Sequence, residues 1–390
     1  MMDKPIPVLY TIPNFITAGS GRAMINVIER LDRKKFDPSV CVMRKGGDLD
    51  REVERLGLQL IESPFTIPVL PYHTLPIRAW KIAQAFRPFG FILWHSFHYS
   101  DDYTEPVIAR LAGSRTWVYT KKNMSWGSRA WRLRSRLAHG IAVQNTTMID
   151  RFFPSQRKKV RHIPPGVDIQ QFRPGEVDSG LRKSWGFPEH LTIAAHVANF
   201  VPIKNHPHLL YALAETQQDI GLVLAGEYLD ASYTSEIHAL IDQLGLKNRV
   251  RLLGKVKDMP AMLQAVDIFA FCSHQEACPV AVLEAMACGL PCVVTDIPAM
   301  SDIHEHGQTG LVVAQNDVKA FSMALDELAQ DPRRRRLLGE KARRRIEEFF
   351  STETEAIEYQ HFYLDLLGAE KVVVGSPLAR SEDVVSKVNS

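Results

Sequence analysis

The chain has 390 residues, 45% of them apolar and 23% charged, with a formal net charge of +3. That length is too great for one ordinary hydrophobic core and fits two domains of comparable size, while the composition excludes the disordered and fibrous classes and suits a soluble globular enzyme. No apolar run approaches the eighteen residues of a membrane span and the first twenty residues lack a basic start followed by an apolar core, so the expected location is the cytoplasm.

Pro7 to Phe15 reads as a short apolar strand, and Ala18 to Leu31 as a glycine-bearing loop entering a helix. Gly19 and Gly21 would let the backbone approach an oxyanion at the helix start, although a tight turn without ligand fits as well. Phe36 to Gly47 supplies a second strand, and a helix and third strand follow. A fourth strand ends near His95 and His98 and leads into another helix. The repeating strand-helix unit argues for a parallel sheet with helices on both faces. Between Lys121 and Arg136 stand six basic residues, Lys121, Lys122, Arg129, Arg132, Arg134 and Arg136, with Trp126 and Trp131 among them and no acid. Such a patch suits an anionic leaflet or a lipid-linked diphosphate, or is an ordinary solvated helix face; no RNA-binding motif accompanies it, and nucleic acid is not expected as a partner. Gly175, Gly180 and Gly186 mark residues 174–190 as an interdomain linker and hinge.

Leu191 to Glu215 opens a second domain with strand, loop and helix, and the alternation continues to IFAFCS, Ile268 to Ser273. Beyond that strand come Glu276, then Pro279 opening a helix that Gly289 closes, with Glu284 eight positions after Glu276. At the carboxyl end of a parallel strand Glu276 would lie in a ligand crevice, with the unpartnered N–H groups of Cys278, Val280 and the first helical turn facing out. Glu284, about one and a half turns into the helix, would reach the same crevice at another height. On spacing alone, two glutamates around an amphipathic helix also suit a solvated helix end. The arginine runs at 333–336 and 343–345 read as solvated helix faces, and the tail from 369 lacks periodic apolar spacing and reads as disordered. The five cysteines, Cys41, Cys272, Cys278, Cys288 and Cys292, sit mostly in apolar contexts and read as buried thiols rather than as disulfide or zinc partners.

From His274 to Val294, with Glu276, Glu284 and the run LEAMACGLP, the chain resembles the E-x7-E signature of GT4-family retaining glycosyltransferases. Gly166, Val167, Asp168, Phe172 and Pro174 are similar to the segment that closes the first domain in that family, with Pro165 where Asn is usual. The resemblance implies an α/β GT-B fold of two Rossmann-like domains with parallel sheets facing across a cleft. Residues 1–173 would form the acceptor-side domain, 191–350 the nucleotide-sugar domain, and 351–368 a helix crossing back to the first.

The resemblance also implies the site. Glu276 would hold the sugar, Lys204 the donor diphosphate and Glu284 the ribose, with Pro279, Cys278 and Val280 at the helix start and Lys255 and Val256 at the base. Gly19, Ser20 and Gly21 would face the donor phosphate, and Asn199 stands where the family has a second positive partner, an Arg. His95, His98, Lys122 and Asn123 would line the acceptor side; the family's H-x-H second position falls on Phe97, which displaces His98 by one residue. The implied reaction is metal-independent and cofactor-free transfer of a hexose from a nucleoside diphosphate sugar to a hydroxyl, with retention, in bacterial-type surface polysaccharide or glycolipid synthesis. The acceptor is expected to be lipid-linked, with the protein on the inner face of the cell membrane. A nucleotide-sugar-binding protein without transfer activity and a sugar-nucleotide epimerase are the alternatives.

Overall fold

The structure, a computed structural model, describes residues 4–15, 18–125, 128–188 and 190–368, apart from the side chains of Ala18 and Asp48. Trp126 and the tail 369–390 lie outside the described residues. The chain divides into two compact units, one running to Pro165 and resuming at Thr352, the other spanning Gly166–Ser351.

Unit 1 alternates β1 (Ile6–Ile12), α1 (Ala18–Glu29), β2 (Phe36–Val42), α2 (Asp48–Arg55), β3 (Gln59–Glu62), α3 (Leu75–Phe86), β4 (Leu93–Ser96), α4 (Thr104–Leu111), β5 (Thr116–Lys121), α5 (Ala130–Leu137), β6 (Gly140–Val143), α6 (Thr147–Phe152) and β7 (Val160–His162). Its sheet is parallel throughout, in the order β3-β2-β1-β4-β5-β6-β7. The chain steps outward from β1 to β3, then returns to β4 and steps the other way. With right-handed crossovers, α1 and α2 cover one face and α3, α4 and α5 the other, and the order reverses between β1 and β4.

Unit 2 repeats the plan with α7 (Ser179–Ser184), β8 (Thr192–Val197), α8 (His206–Glu215), β9 (Ile220–Ala225), α9 (Ala231–Gln243), β10 (Val250–Gly254), α10 (Met259–Gln264), β11 (Ile268–Phe271), α11 (Val280–Ala287), β12 (Cys292–Thr295), α12 (Met300–Ile303), β13 (Gly310–Val313), α13 (Val318–Gln330) and α14 (Pro332–Phe349). Its order, β10-β9-β8-β11-β12-β13, reverses between β8 and β11. IGLVLA, IFAF and CVVT are buried along their whole length, as a sheet covered by helices on both faces requires.

The last helix, α15 (Thr352–Leu367), belongs to unit 1, where Tyr359, Phe362 and Tyr363 join the core formed with β1 and α1. Tyr363 Oη lies 2.6 Å from His95 Nδ1, while His95 Nε2 lies 2.9 Å from the Thr120 hydroxyl. His95, expected on the acceptor side, is thus a core residue with both ring nitrogens taken. Its pKa is held well below the usual imidazole range, by burial and then by Lys122.

Several other expectations are corrected. Gly19, Ser20 and Gly21 are the first turn of α1 and not a loop. A Cβ on Gly21 would stand 2.7 Å from Phe15 Cδ1, so this glycine lets the Phe15 ring pack on the helix. Residues 174–190 do not behave as a spacer, because α7 lies within them and Trp185 and Phe187 are buried in the unit 2 core; the units divide at Pro165/Gly166 instead.

The arginine runs of α14 are not simply solvated faces. Arg335 donates to the Leu328 and Ala329 carbonyls, Arg345 to those of Ile303 and Asp302, and Arg343 to those of Phe172, Ile169 and Ala287. These guanidinium groups satisfy helix-end and loop carbonyls that would otherwise lack partners. All five cysteines are free thiols, four buried and Cys278 half-buried.

Candidate active site

Open α/β sheets bind ligands beyond the strand ends where the order reverses. In unit 2 that place is defined by the segments leaving β8 and β11. After β8 the chain makes a short turn at Pro202–Lys204, and Asn205 takes a left-handed conformation (φ 54°) before α8 begins. After β11 it runs through Cys272 to Pro279, where α11 starts. His274 N–H donates to the Ile203 carbonyl at 2.9 Å, and the Cys272 thiol approaches the Asn205 carbonyl at 3.2 Å. These contacts lay the two loops side by side and bring Lys204 Nζ to 2.5 Å from Glu276 Oε1. Both side chains keep some exposure, 23% and 15%, so the pair faces outward from a rim and not into the core.

Pro279 is the N-cap of α11 and contributes no side-chain cap. The first-turn N–H groups of Val280 and Ala281 therefore lack an intrahelical acceptor and carry the positive end of the helix dipole. Glu284, one turn further on, is half-buried, and no cation or hydrogen-bond donor is paired with it among the described residues. Burial alone pushes its carboxyl up to about 7. A desolvated acceptor without a partner is a place for ligand hydroxyls. The other end of α11 is fixed by Gly289, whose φ of 78° only glycine adopts freely, and by Arg343 on the Ala287 carbonyl.

The remaining donor-side residues divide. Asn199 is exposed, and its side-chain oxygen accepts from Glu227 N–H at 3.2 Å, bracing the strand-end loops of β8 and β9. Those loops are so close that a Cβ on Gly226 would lie 1.9 Å from the Ala198 oxygen. Lys255 is exposed and ion-paired to Glu227 at 2.5 Å, while Val256 packs on the unit 2 core. Gly19, Ser20 and Gly21 belong to unit 1.

In unit 1 the reversal point lies between β1 and β4. His98 follows β4; its Nδ1 is buried without a partner, its ring meets Phe65 edge-on, and burial lowers its pKa. Lys122 follows β5 with Nζ 4.2 Å from the centre of the Phe97 ring and no hydrogen-bond partner; burial pushes it down to about 7, against a smaller upward pull from Glu355. Asn123 bridges, accepting from Lys121 Nζ at 2.7 Å and donating to Tyr99 Oη at 2.5 Å. So His98, Lys122 and Asn123 gather at the ends of two adjacent strands, and His95 does not join them.

The basic segment is only partly a surface. Arg134 is fully buried and pairs with Glu105, also fully buried, at 3.0 Å; it also donates to Ser96 Oγ and to the Asp102 carbonyl. Glu105 additionally accepts from the Thr11 hydroxyl and Trp94 Nε1. Lys121 and Trp131 are buried, leaving Arg129, Arg132 and Arg136 exposed. The Glu105–Arg134 pair escaped sequence reasoning, and its one signal was a lone glutamate in a long stretch nearly free of acids. No group of three or more His, Cys, Asp or Glu among the described residues is arranged to hold a metal ion.

Residues 178–345 match the family model described as glycosyl transferases group 1. The N-acetyl-alpha-D-glucosaminyl L-malate synthase of Bacillus anthracis is 31% identical over 193 residues, which is 49% of this chain and 50% of that protein. Several further curated relatives are likewise matched over about half their length. The fold is shared with the crystal structure of Anabaena HepE in complex with UDP and glucose, at a TM-score of 0.77 and 19% identity over 92% of this chain and 100% of that one. A glycosyltransferase from Rickettsia africae aligns with a TM-score of 0.83 and 18% identity over 94% of this chain and 100% of that one. By these matches residues 178–345 are similar to the glycosyl transferases group 1 family, and the chain is built on the GT-B fold.

Proposed function

We propose that the chain is a retaining glycosyltransferase that moves a hexose from a nucleoside diphosphate sugar to a hydroxyl. The observation that carries this is the Lys204–Glu276 pair at the reversal point of the unit 2 sheet, beside the uncapped first turn of α11 and one turn from the unpaired Glu284. Incoming diphosphate competes for the Lys204 ammonium and the Val280 and Ala281 N–H groups. Glu276, released from Lys204, accepts from the sugar hydroxyls, and Glu284 from those of the ribose. As the bond between the anomeric carbon and the phosphate oxygen breaks, its electron pair leaves on the diphosphate. Lys204 and the helix amides stabilise that developing charge, the electrostatic contribution that usually dominates such catalysis. The acceptor oxygen then bonds to the same face of the sugar and its proton passes to the leaving phosphate.

A uridine donor is the first to try, since HepE was crystallised with UDP and glucose. On the acceptor side we assign His98, Lys122 and Asn123, with a lipid-linked acceptor held at the cytoplasmic face of a membrane and no metal or cofactor required. The test is incubation of the purified protein with a panel of UDP-sugars and GDP-mannose. Slow release of free sugar and nucleoside diphosphate supports the reading. Binding without turnover favours a nucleotide-sugar-binding protein, the alternative that the neutral Asn199 supports, and an altered sugar without acceptor indicates an epimerase.

A further inference from the structure

Residues 63–149 hold eleven Lys and Arg but only three acids, Asp101, Asp102 and Glu105, and none of the three is exposed. The stretch includes α3, α4 and α5, which cover one face of the unit 1 sheet and pack successively on one another. Lys81, Arg110, Arg129, Arg132 and Arg136 are exposed on or beside these helices, and none is ion-paired among the described residues. Large apolar side chains stand among them. On α3, Ile77 is 60% and Trp80 51% exposed, three positions apart and next to Lys81. Tyr72 is also exposed, in a turn that Arg78 ties to α3 by donating to the Pro71 carbonyl at 3.0 Å. On α5, Leu133 and Leu137 are exposed one turn apart, flanked by Arg132 and Arg136.

We infer that this α3–α4–α5 face docks unit 1 on an anionic lipid leaflet, with Tyr72, Ile77, Trp80, Leu133 and Leu137 entering the interface and the unpaired cations meeting lipid phosphates. The inference deepens the membrane-held acceptor of the proposed function and moves its contact from the segment 121–136 alone to a three-helix surface centred on α3. No helix of the described residues is long and apolar enough to cross a membrane, so the contact is peripheral. Cations without carboxylate partners select an anionic surface, and their attraction acts within a Debye length, about 8 Å at physiological salt. Exposed tryptophan and aliphatic side chains beside them are what an interfacial surface inserts into the acyl boundary. A nucleic acid would use the cations but would leave Ile77, Leu133 and Leu137 in water.

The test is co-sedimentation of the full chain with vesicles of phosphatidylglycerol or of phosphatidylcholine. Wild type should sediment with the anionic vesicles at low salt, release at high salt and ignore the neutral ones. The triple variant R129Q/R132Q/R136Q, which spares the buried Arg134, should bind about tenfold or more weakly. Trp80→Ser should weaken binding and abolish the part of tryptophan quenching by brominated lipid that comes from position 80. Nucleoside diphosphate binding and donor hydrolysis should stay unchanged in both variants, which separates this inference from the proposed reaction. Wild type that ignores anionic vesicles overturns it, as does equal binding by wild type and both variants. Tight RNA binding without vesicle binding, or self-association that Trp80→Ser reverses, would also overturn it.

Discussion

Lys204 and Glu276 are 72 positions apart in sequence and 2.5 Å apart in space, each the nearest charged partner of the other at the rim of the unit 2 sheet. The pair keeps both charges satisfied, so an incoming diphosphate must compete with Glu276 for the lysine. Glu276→Ala therefore frees the cation. Nucleoside diphosphate affinity should hold or rise, while transfer falls on the order of a hundredfold or more. Lys204→Ala should lower both. Calorimetry with UDP alongside donor hydrolysis distinguishes these outcomes, and equal loss of UDP affinity in the two variants would refute the assignment.

Glu284 gives a second prediction, with opposite signs for stability and binding. Its ordinary value of 4.5 is raised to about 7 by burial. Between those values the folded chain binds more protons than the unfolded one, so this residue's contribution to stability falls as pH rises and levels off above about 7. The shift corresponds to at most roughly 3 kcal/mol, less what partial exposure screens. Glu284→Gln should match wild type near pH 4 and melt higher at pH 8. Glu284→Ala should show the same stability trend but bind nucleoside diphosphate at least about tenfold more weakly, through lost hydrogen bonds to a charged acceptor of roughly 1.5–3 kcal/mol each. Thermal melts across that pH range, with and without UDP, check both signs.

What the sequence makes legible here is local. The strand, loop and helix around Glu276 and Glu284 can be read because the apolar runs, Pro279 and Gly289 all lie between Ile268 and Val294. The Lys204–Glu276 contact depends instead on β8 and β11 being neighbours, which is a matter of strand order. The basic run from Lys121 to Arg136 misled for a related reason. Helical spacing does not reveal which arginine turns inward, and Arg134 does so only because Glu105, on α4, waits for it. His95 was drawn into the core by Tyr363, supplied by a helix 268 positions away. Residues 174–190 looked like a linker by glycine content, although Trp185 and Phe187 carry enough apolar surface to anchor them.

The buried Arg134–Glu105 pair predicts a division within the basic segment. Arg134→Gln leaves Glu105 desolvated and short of its cation, and breaking such a pair from one side costs about 3–5 kcal/mol. It also removes donors to Ser96 Oγ and to the Asp102 carbonyl, which hold the loop carrying His98. Arg132→Gln on the exposed face should change stability by no more than about 0.5 kcal/mol. Urea unfolding of the two variants tests the contrast; similar midpoints would mean that Glu105 finds another partner.

The final prediction concerns metal. Enzymes that bind a donor diphosphate through a divalent cation lose activity on chelation because nothing else neutralises the leaving group. Here a lysine and the amide-bearing start of α11 already stand beside the carboxylate that would hold the sugar. An ammonium and a helix N-terminus supply fixed positive charge and N–H donors to phosphate oxygens without a coordination shell. Donor hydrolysis and transfer should therefore persist in excess EDTA, while Lys204→Ala should stay impaired whether or not manganese or magnesium is added. Complete loss in EDTA with recovery on manganese would show that a cation takes the role assigned to Lys204. Recovery of Lys204→Ala by manganese alone would show instead that the site tolerates either form of positive charge.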